Sequence, residues 1–194
     1  MWEPEPYVLD LSDVVRLSDD DLMKICAANP DLRIEQNAAG QLEIMPPAGA
    51  SSSSRDIAVA LALGNWNRET KAGVVFGSSA GFRLPNGAVR AADAAWVRLD
   101  RWSALANDQQ ETFAPVVPDF LVEIRSPSDS ISQLQAKMSE WMENGCRLAW
   151  LIDPFDHVAI VYRADGSTAT QTFDQLLSGE EILPGFAFDP HSLP

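Results

Sequence analysis

Apolar residues recur at helical spacing in three stretches of the chain. Residues 17–30 begin with a Ser or Asp cap and acids in the first turn and stop at Pro30, which predicts a short helix. Residues 51–73 open with serines able to cap a helix and end in a glycine, so they predict a long helix. Residues 126–145 predict a third helix, which closes at an Asn-Gly pair.

Alternation with a period of two, bounded by Gly, Pro, Asn and Asp, predicts strands elsewhere. The stretches are a hairpin at 32–46, three short strands within 74–100, single strands at 118–127 and 146–154, and a hairpin at 157–173 that turns at Asp165-Gly166. The strand, helix and strand between 118 and 153 fit a right-handed crossover between parallel strands. The mixed order elsewhere predicts an α/β sheet with antiparallel edges.

Length and composition fit a single domain over residues 1–194, because 46% apolar residues suffice for one core. No run of about 18 uncharged apolar residues could span a bilayer. The start MWEPEPYVLD also lacks the features of a signal peptide. We therefore expect a cytoplasmic protein with no membrane segment. Cys26 and Cys146 lack the paired spacing of a zinc site, and we expect reduced, structural thiols.

The net charge of −14 argues at first against a polyanionic partner. The charge is unevenly distributed, however, because residues 55–101 hold seven Lys or Arg against four Asp or Glu. Exposed charges farther apart than about 8 Å are largely screened at physiological salt, so a local basic surface can bind nucleic acid on an acidic protein. Ordinary solvated side chains explain the same composition equally well.

The strand PDFLVEIRSP carries Asp119, Glu123 and Arg125 on one face. Asp93 opens the strand DAAWV thirty residues before Glu123. If the two strands are neighbours, both carboxylates can project into one pocket. Mg²⁺ keeps several waters and needs few protein ligands, so two carboxylates with room for water suit it, and Mn²⁺ is an alternative. Asp119 lies about 13 Å along the strand from Glu123, too far to share one ion, and is given a supporting role.

A metal at such a site would promote hydrolysis at a phosphate, and a nearby cation would neutralise the developing charge. Arg125 follows Glu123 by about 7 Å on the same strand face. Arg125 stays protonated, so it can stabilise charge but is a poor base. Lys137 lies at the edge of the apolar stripe of the third helix, beside Trp141, from where its ammonium could reach the sheet. A solvated helix flank is the alternative for Lys137.

Several blocks of the sequence resemble one known family. AADAAWV at 91–97, PDFLVEIRSPSDS at 118–130 and QAKMSEWMENGCRLAWLIDP at 135–154 resemble the Uma-type restriction endonucleases, long catalogued as a domain of unknown function in the PD-(D/E)XK superfamily. GVVFGSSAGFRLPNG at 73–87 and the hairpin and helix before it fit the same family. The resemblance covers roughly residues 10–190, and the blocks are specific only when taken together.

The resemblance implies a restriction-endonuclease-like fold: a central mixed β-sheet flanked by helices, with an N-terminal helix and a β-hairpin. It implies metal-dependent phosphodiester hydrolysis, with DNA as the expected substrate and Asp93 and Glu123 as ligands of Mg²⁺. Arg125 stands where the superfamily motif has lysine, and Lys137 would substitute for that lysine from the helix. Ala92 replaces the motif proline, which supplies no ligand.

Two rival functions stay open at this level. Arg125 in place of lysine and the lack of an evident ligand pair on the first long helix, where only Asp56 is available, favour a decayed site. Such a protein would bind nucleic acid or a protein without cutting. A structural scaffold whose acids pair with arginines is the other alternative. Arg55 and Asp56 are expected near the rim of the site, and a homodimer stays open because no self-complementary surface can be identified.

Overall fold

The computed structural model describes residues 7–11, 13–45 and 47–194. In chain order its elements are β1 (Tyr7–Leu9), α1 (Asp19–Ala28), β2 (Arg33–Gln36), β3 (Leu42–Met45), α2 (Ala50–Thr70), β4 (Gly73–Gly77), β5 (Phe82–Arg83), β6 (Val89–Arg90), β7 (Ala94–Arg98), α3 (Leu99–Ser103), α4 (Asn107–Gln110), β8 (Phe120–Ile124), α5 (Ile131–Glu143), β9 (Leu148–Asp153), β10 (Val158–Arg163), β11 (Thr168–Thr172), β12 (Leu177–Ser178) and β13 (Ala187–Phe188), followed by a 3₁₀ turn at Pro190–Ser192.

The largest sheet of the described residues has six strands in the order β11-β10-β9-β8-β7-β4. Strands β8 and β9 are parallel and are joined through α5, while the other neighbouring pairs in this sheet are antiparallel. A parallel pair needs such a long crossover connection. The predicted mixed α/β sheet and the crossover between parallel strands are therefore confirmed.

Helices cover both faces of this sheet. Side chains of β8 alternate, so Phe120 and Val122 pack in the core on the side of α2, while Leu121 packs on the side of α5. Helix α5 buries Met138 and Trp141 against its face. Glu123 is two residues after Leu121 and therefore lies on the same face of β8. Its carboxylate is on the α5 side, so side chains of α5 can reach it.

A second sheet, with the order β1-β3-β2-β6-β5, holds the predicted hairpin of β2 and β3. Arg90 of β6 links this hairpin to helix α5, which packs on the central sheet, because it forms ion pairs with carboxylates from three elements. Its guanidinium contacts Glu35 of β2, Glu43 of β3 and Glu140 of α5, and the last of these contacts measures 2.6 Å between Nε and Oε2. The network ties the second sheet to the helix that carries Lys137.

Four strands, rather than the predicted three, occupy the region from Gly73 to Arg98. The turn indicated by Pro85-Asn86-Gly87 is present, with Gly87 at a φ of 91°, and it joins β5 to β6. The additional strand is β6, which has only two residues and ends before β7 begins. Strands β5 and β6 join the second sheet instead of the central one.

The C-terminal segment contributes to the core although its sequence shows no regular period. Leu177, Leu183, Phe186 and Phe188 are at most 4% exposed and pack in the core on the α2 side. Periodicity predicts no element for these residues, because an irregular segment is held by tertiary contacts rather than by a repeat.

Both cysteines are free in the described structure, and Cys146 is buried. None of the helices described here combines the length and the apolar character needed to cross a membrane.

Candidate functional site

Strand pairing brings Asp93 and Glu123 together. Ala94 of β7 pairs with Val122 of β8, so one further step of the antiparallel register places Asp93 opposite Glu123. Residues directly opposite each other in such a pair share a face, with Cβ atoms about 5 Å apart. The regular strand begins one residue after Asp93, whose Oδ2 accepts a hydrogen bond of 2.8 Å from the Ile124 backbone N–H. This bond fixes the Asp93 carboxylate at the end of β8.

Lys137 reaches these carboxylates from α5. Its Nζ lies 2.9 Å from Glu123 Oε1 and 3.2 Å from Glu35 Oε1, and it donates to the Ala91 carbonyl at 2.8 Å. Trp141, one turn further along α5, donates from Nε1 to the same Glu123 oxygen at 3.3 Å. The solvated flank that the sequence left as an alternative is therefore not what is observed, because the Lys137 side chain is only 15% exposed.

Two residues not singled out from the sequence, Arg33 and Glu35, join Asp93, Glu123 and Lys137 in a group that we call the acid cluster. Arg33 of β2 lies between acids, with Nη1 3.4 Å from Asp93 Oδ1 and Nη2 3.2 Å from Glu35 Oε1. Its Nη2 also donates to the Ala91 carbonyl at 2.8 Å. Arg33 and Glu35 are two residues apart on one strand, the same charged alternation that drew attention to Glu123 and Arg125. Applied to the hairpin, that signal would have found them.

Two carboxyl groups near Asp93, those of Glu123 and Asp56, have raised pKa values. Burial, together with the charge of Asp93, raises the pKa of Glu123 to about 7, against the pull of Lys137. Burial and the charge of Asp93 likewise raise the pKa of Asp56 to about 7, although Arg33 and Arg55 oppose this. Asp56 belongs to the second turn of α2. Burial is the larger cause for both groups, and a cation bound beside these carboxyl groups would favour their ionised forms.

Glu35 has the opposite electrostatic environment. Burial alone would raise its pKa, but Lys137, Arg33 and Arg90 outweigh burial and hold the pKa at about 2, below the ordinary 4.5. Its ionised form therefore stabilises the fold above pH 4.5, and that stabilisation is lost as the pH falls towards 2.

We predict a pH-dependent cost for Glu35→Gln. At pH 7 the variant should lose about 3 kcal/mol of unfolding free energy, because it removes the stabilisation that a pKa shift of this size represents. The difference from wild type should shrink between pH 4.5 and 2, where wild-type Glu35 itself becomes protonated. Urea denaturation at a series of pH values measures this, and a difference that stays constant down to pH 2 would contradict it.

Two other predicted residues lie outside the cluster. Arg125 pairs with Asp153 of β9, with Nη1 2.7 Å from Oδ2, and contacts no carboxylate of the cluster. Asp119, at the start of β8, accepts from the Arg98 backbone N–H at 2.9 Å and pairs with Arg101 at 2.9 Å. Asp119 thus has the supporting role expected of it, at the opposite end of the strand from Glu123.

The donor set fits a divalent cation held by few protein ligands. Asp93 and Glu123 supply carboxylates from neighbouring strands, and no partner is observed for Glu123 Oε2 among the described residues. The structure forms no group of three or more His, Cys, Asp or Glu able to hold a metal ion within its described residues. Two carboxylates with waters and a substrate phosphate are nevertheless a usual set for Mg²⁺.

Comparison with known families identifies the family of this chain. The sequence model of the Uma2 family, described as "Putative restriction endonuclease", matches residues 19–191. The chain belongs to the Uma2 family. Within that Uma2 match lie Asp56, Asp93, Glu123 and Lys137, together with Arg33 and Glu35 of the hairpin. No curated protein matches the sequence.

The Uma2 chain also resembles a solved structure, that of a putative nuclease belonging to DUF820 from Anabaena variabilis ATCC 29413. The TM-score is 0.73, the sequence identity is 18%, and the match covers 91% of this chain and 97% of that one. The likeness shows that the two proteins share a fold. The predicted family and the restriction-endonuclease-like fold class are thereby confirmed.

Proposed function

We propose that this protein is a Mg²⁺-dependent endonuclease that hydrolyses phosphodiester bonds of DNA. The observation that carries the proposal is the convergence of three groups at the end of β8. Asp93 is held there by the Ile124 N–H, and Lys137 Nζ lies 2.9 Å from Glu123. Membership of a family described as restriction endonucleases supports the same activity.

Asp93 and Glu123 would hold the metal ion, with Asp56 close enough to contribute charge. When bound, such an ion polarises the phosphoryl oxygen and lowers the pKa of a bound water. The residues themselves set the geometry. Trp141 and Lys137 both bond Glu123 Oε1, which fixes the carboxylate and directs its other oxygen away from α5.

Lys137 would act as a cation rather than as a base. Burial alone would lower its pKa, but the charges of Glu123 and Glu35 outweigh burial and raise it. The ammonium therefore stays protonated at neutral pH, where it can orient the attacking water and stabilise charge on the phosphate. Arg125 is bonded to Asp153 instead, so the role of the motif cation passes to Lys137.

A cleavage assay with the wild-type protein tests the proposal. Supercoiled plasmid should be nicked or linearised in millimolar Mg²⁺ or Mn²⁺ and left intact in EDTA. Cleavage of equal rate in EDTA would refute metal dependence. Intact plasmid and intact single-stranded DNA in both metals would refute the nuclease assignment.

A binding module without catalysis is the second candidate, and Arg33 is the observation that favours it. Its guanidinium already lies 3.4 Å from Asp93 Oδ1, where it partly neutralises the acid that would bind the metal. Calorimetric titration with Mn²⁺ separates the two functions. Metal binding by the wild-type protein supports the enzyme, whereas binding that appears only in Arg33→Ala supports the module.

A further inference from the structure

Two arginines contact a single phenylalanine at the edge of the sheet that carries the acid cluster. The guanidinium carbons of Arg55 and Arg125 lie 5.6 Å and 5.7 Å from the centre of the Phe155 ring. Phe155 is 43% exposed. Arg55 immediately precedes Asp56 on α2, and Arg125 follows Glu123 by two residues, so this surface adjoins the cluster. Such contacts hold the planar guanidinium groups against the ring.

No Asp or Glu side chain of the described residues lies within ion-pair distance, 4.0 Å, of Arg55. Of the fourteen Lys and Arg residues, ten lie within 4.0 Å of a carboxylate among the described residues, which leaves Arg16, Arg55, Arg68 and Lys71. Arg68 and Lys71 lie at the far end of α2, about 20 Å from Arg55 at 1.5 Å per residue. Arg55 is thus the cation of α2 that adjoins the acid cluster without forming an ion pair to an Asp or Glu side chain of the described residues.

Arg55 is nevertheless held in place. Its Nε donates to the backbone oxygen of Pro194 at 3.1 Å, and its guanidinium lies over the Phe155 ring. No partner is found for its Nη groups in the described part of the chain. A planar guanidinium fixed through Nε and with free Nη groups is well prepared to bind a phosphate.

The charge balance favours unpaired nucleic acid over a duplex at this surface. Affinity for a duplex comes largely from Lys and Arg that neutralise phosphates, whereas this chain carries a net charge of −14 and most of its cations form ion pairs. Stacking of bases on aromatic rings and on guanidinium planes supplies affinity that does not depend on many cations. Paired bases in a duplex do not expose the faces that such stacking needs.

We propose that the surface of Arg55, Phe155 and Arg125 binds an unpaired nucleotide next to the phosphodiester that the acid cluster would cut. Arg55 holds its phosphate, and its base stacks on the layer formed by Phe155 and the guanidinium groups. The substrate class is therefore single-stranded DNA or a single-stranded segment of a larger DNA. The position of this nucleotide next to the cut rests on the proposed function. The binding itself rests only on the contact of Arg55 and Arg125 with Phe155.

Fluorescence anisotropy in EDTA, where no cutting occurs, tests the surface with labelled oligothymidylate and a duplex of equal length. The wild type should bind the single strand at least about 10-fold more tightly. Phe155→Ala should weaken that binding by about 5- to 100-fold with an unchanged salt dependence. Arg55→Ala should reduce the slope of log K against log salt by about 0.7. Arg68→Ala, on the same helix, is the matched control and should change neither.

Equal affinity for duplex and single strand, or equal effects of Arg55→Ala and Arg68→Ala, would overturn the inference. The test also separates it from the proposed function. Binding through Arg55 and Phe155 without cleavage in Mg²⁺ or Mn²⁺ would keep the surface and refute the nuclease. Cleavage with a KM for single strands unaffected by either variant would keep the nuclease and refute the surface.

Discussion

Replacing Glu123 by Gln should reduce Mg²⁺-dependent DNA cleavage by at least about 100-fold, and Asp93→Asn should do the same. Each change keeps the shape of the side chain but removes the charge that a hard cation requires of its ligand. Both residues occupy opposed positions on neighbouring strands, so neither can replace the other. Initial rates of plasmid nicking, measured at saturating Mg²⁺, give the comparison.

Asp119→Asn is the matched control for these two variants. Asp119 is a fully buried acid that immediately precedes β8, about 13 Å along the chain from Glu123. It accepts a hydrogen bond from the Arg98 backbone N–H and pairs with Arg101. We expect Asp119→Asn to lower stability and to leave the rate per folded molecule within about twofold of wild type. Glu123→Gln with wild-type activity would show that the acid cluster is not the catalytic site.

Replacing Lys137 by Met should be the most destabilising single change at the site, with a loss of about 3 to 5 kcal/mol in unfolding free energy. The methionine fills the space of the lysine stem, but Glu123 and Glu35 lose the ammonium that lies within 3.2 Å of each. Glu123 then loses the one ion pair it forms among the described residues, and Glu35 loses one of its three cation partners. Urea denaturation at pH 7 measures the loss.

The double variant Lys137→Met with Glu123→Gln makes this prediction sharper. Removing the Glu123 charge removes part of the repulsion that the first change exposes, so the double variant should lose about 0.5 to 3 kcal/mol less than the sum of the single variants. Strict additivity would mean that Lys137 and Glu123 do not interact. A loss below about 1 kcal/mol for Lys137→Met would place the ammonium in solvent.

Local patterns predicted most of the fold because its elements follow regular periods. The helix at 131–143, the parallel strands on either side of it and the hairpin turning at Gly166 all match their predicted places. Strand β6, Val89–Arg90, was not predicted as a separate strand, since two residues are too few to show alternation. The C-terminal segment escaped prediction for a related reason: Phe186 and Phe188 are held by the core and not by a local repeat.

The site could be predicted only in part, because some of its residues are brought together by tertiary structure and not by any local pattern. Asp93, Glu123 and Lys137 could be nominated because acids interrupt apolar strands and a lysine borders an apolar stripe. Glu35 could not be placed beside them, because its strand belongs to a different sheet and contacts the cluster only through folding. The partner of Arg125 was also beyond reach. By strand alternation Arg125 was placed on the same face as Glu123, yet its guanidinium forms an ion pair with Asp153 of β9.

The central claim is that Asp93 and Glu123 bind one divalent ion, and a crystal structure of the protein soaked in millimolar Mn²⁺ tests it most directly. Anomalous scattering identifies manganese without reference to the surrounding side chains. The account predicts one peak bonded to both carboxylates, with Lys137 still in contact with Glu123. No peak at this position, or a peak bonded to carboxylates elsewhere, would contradict the claim.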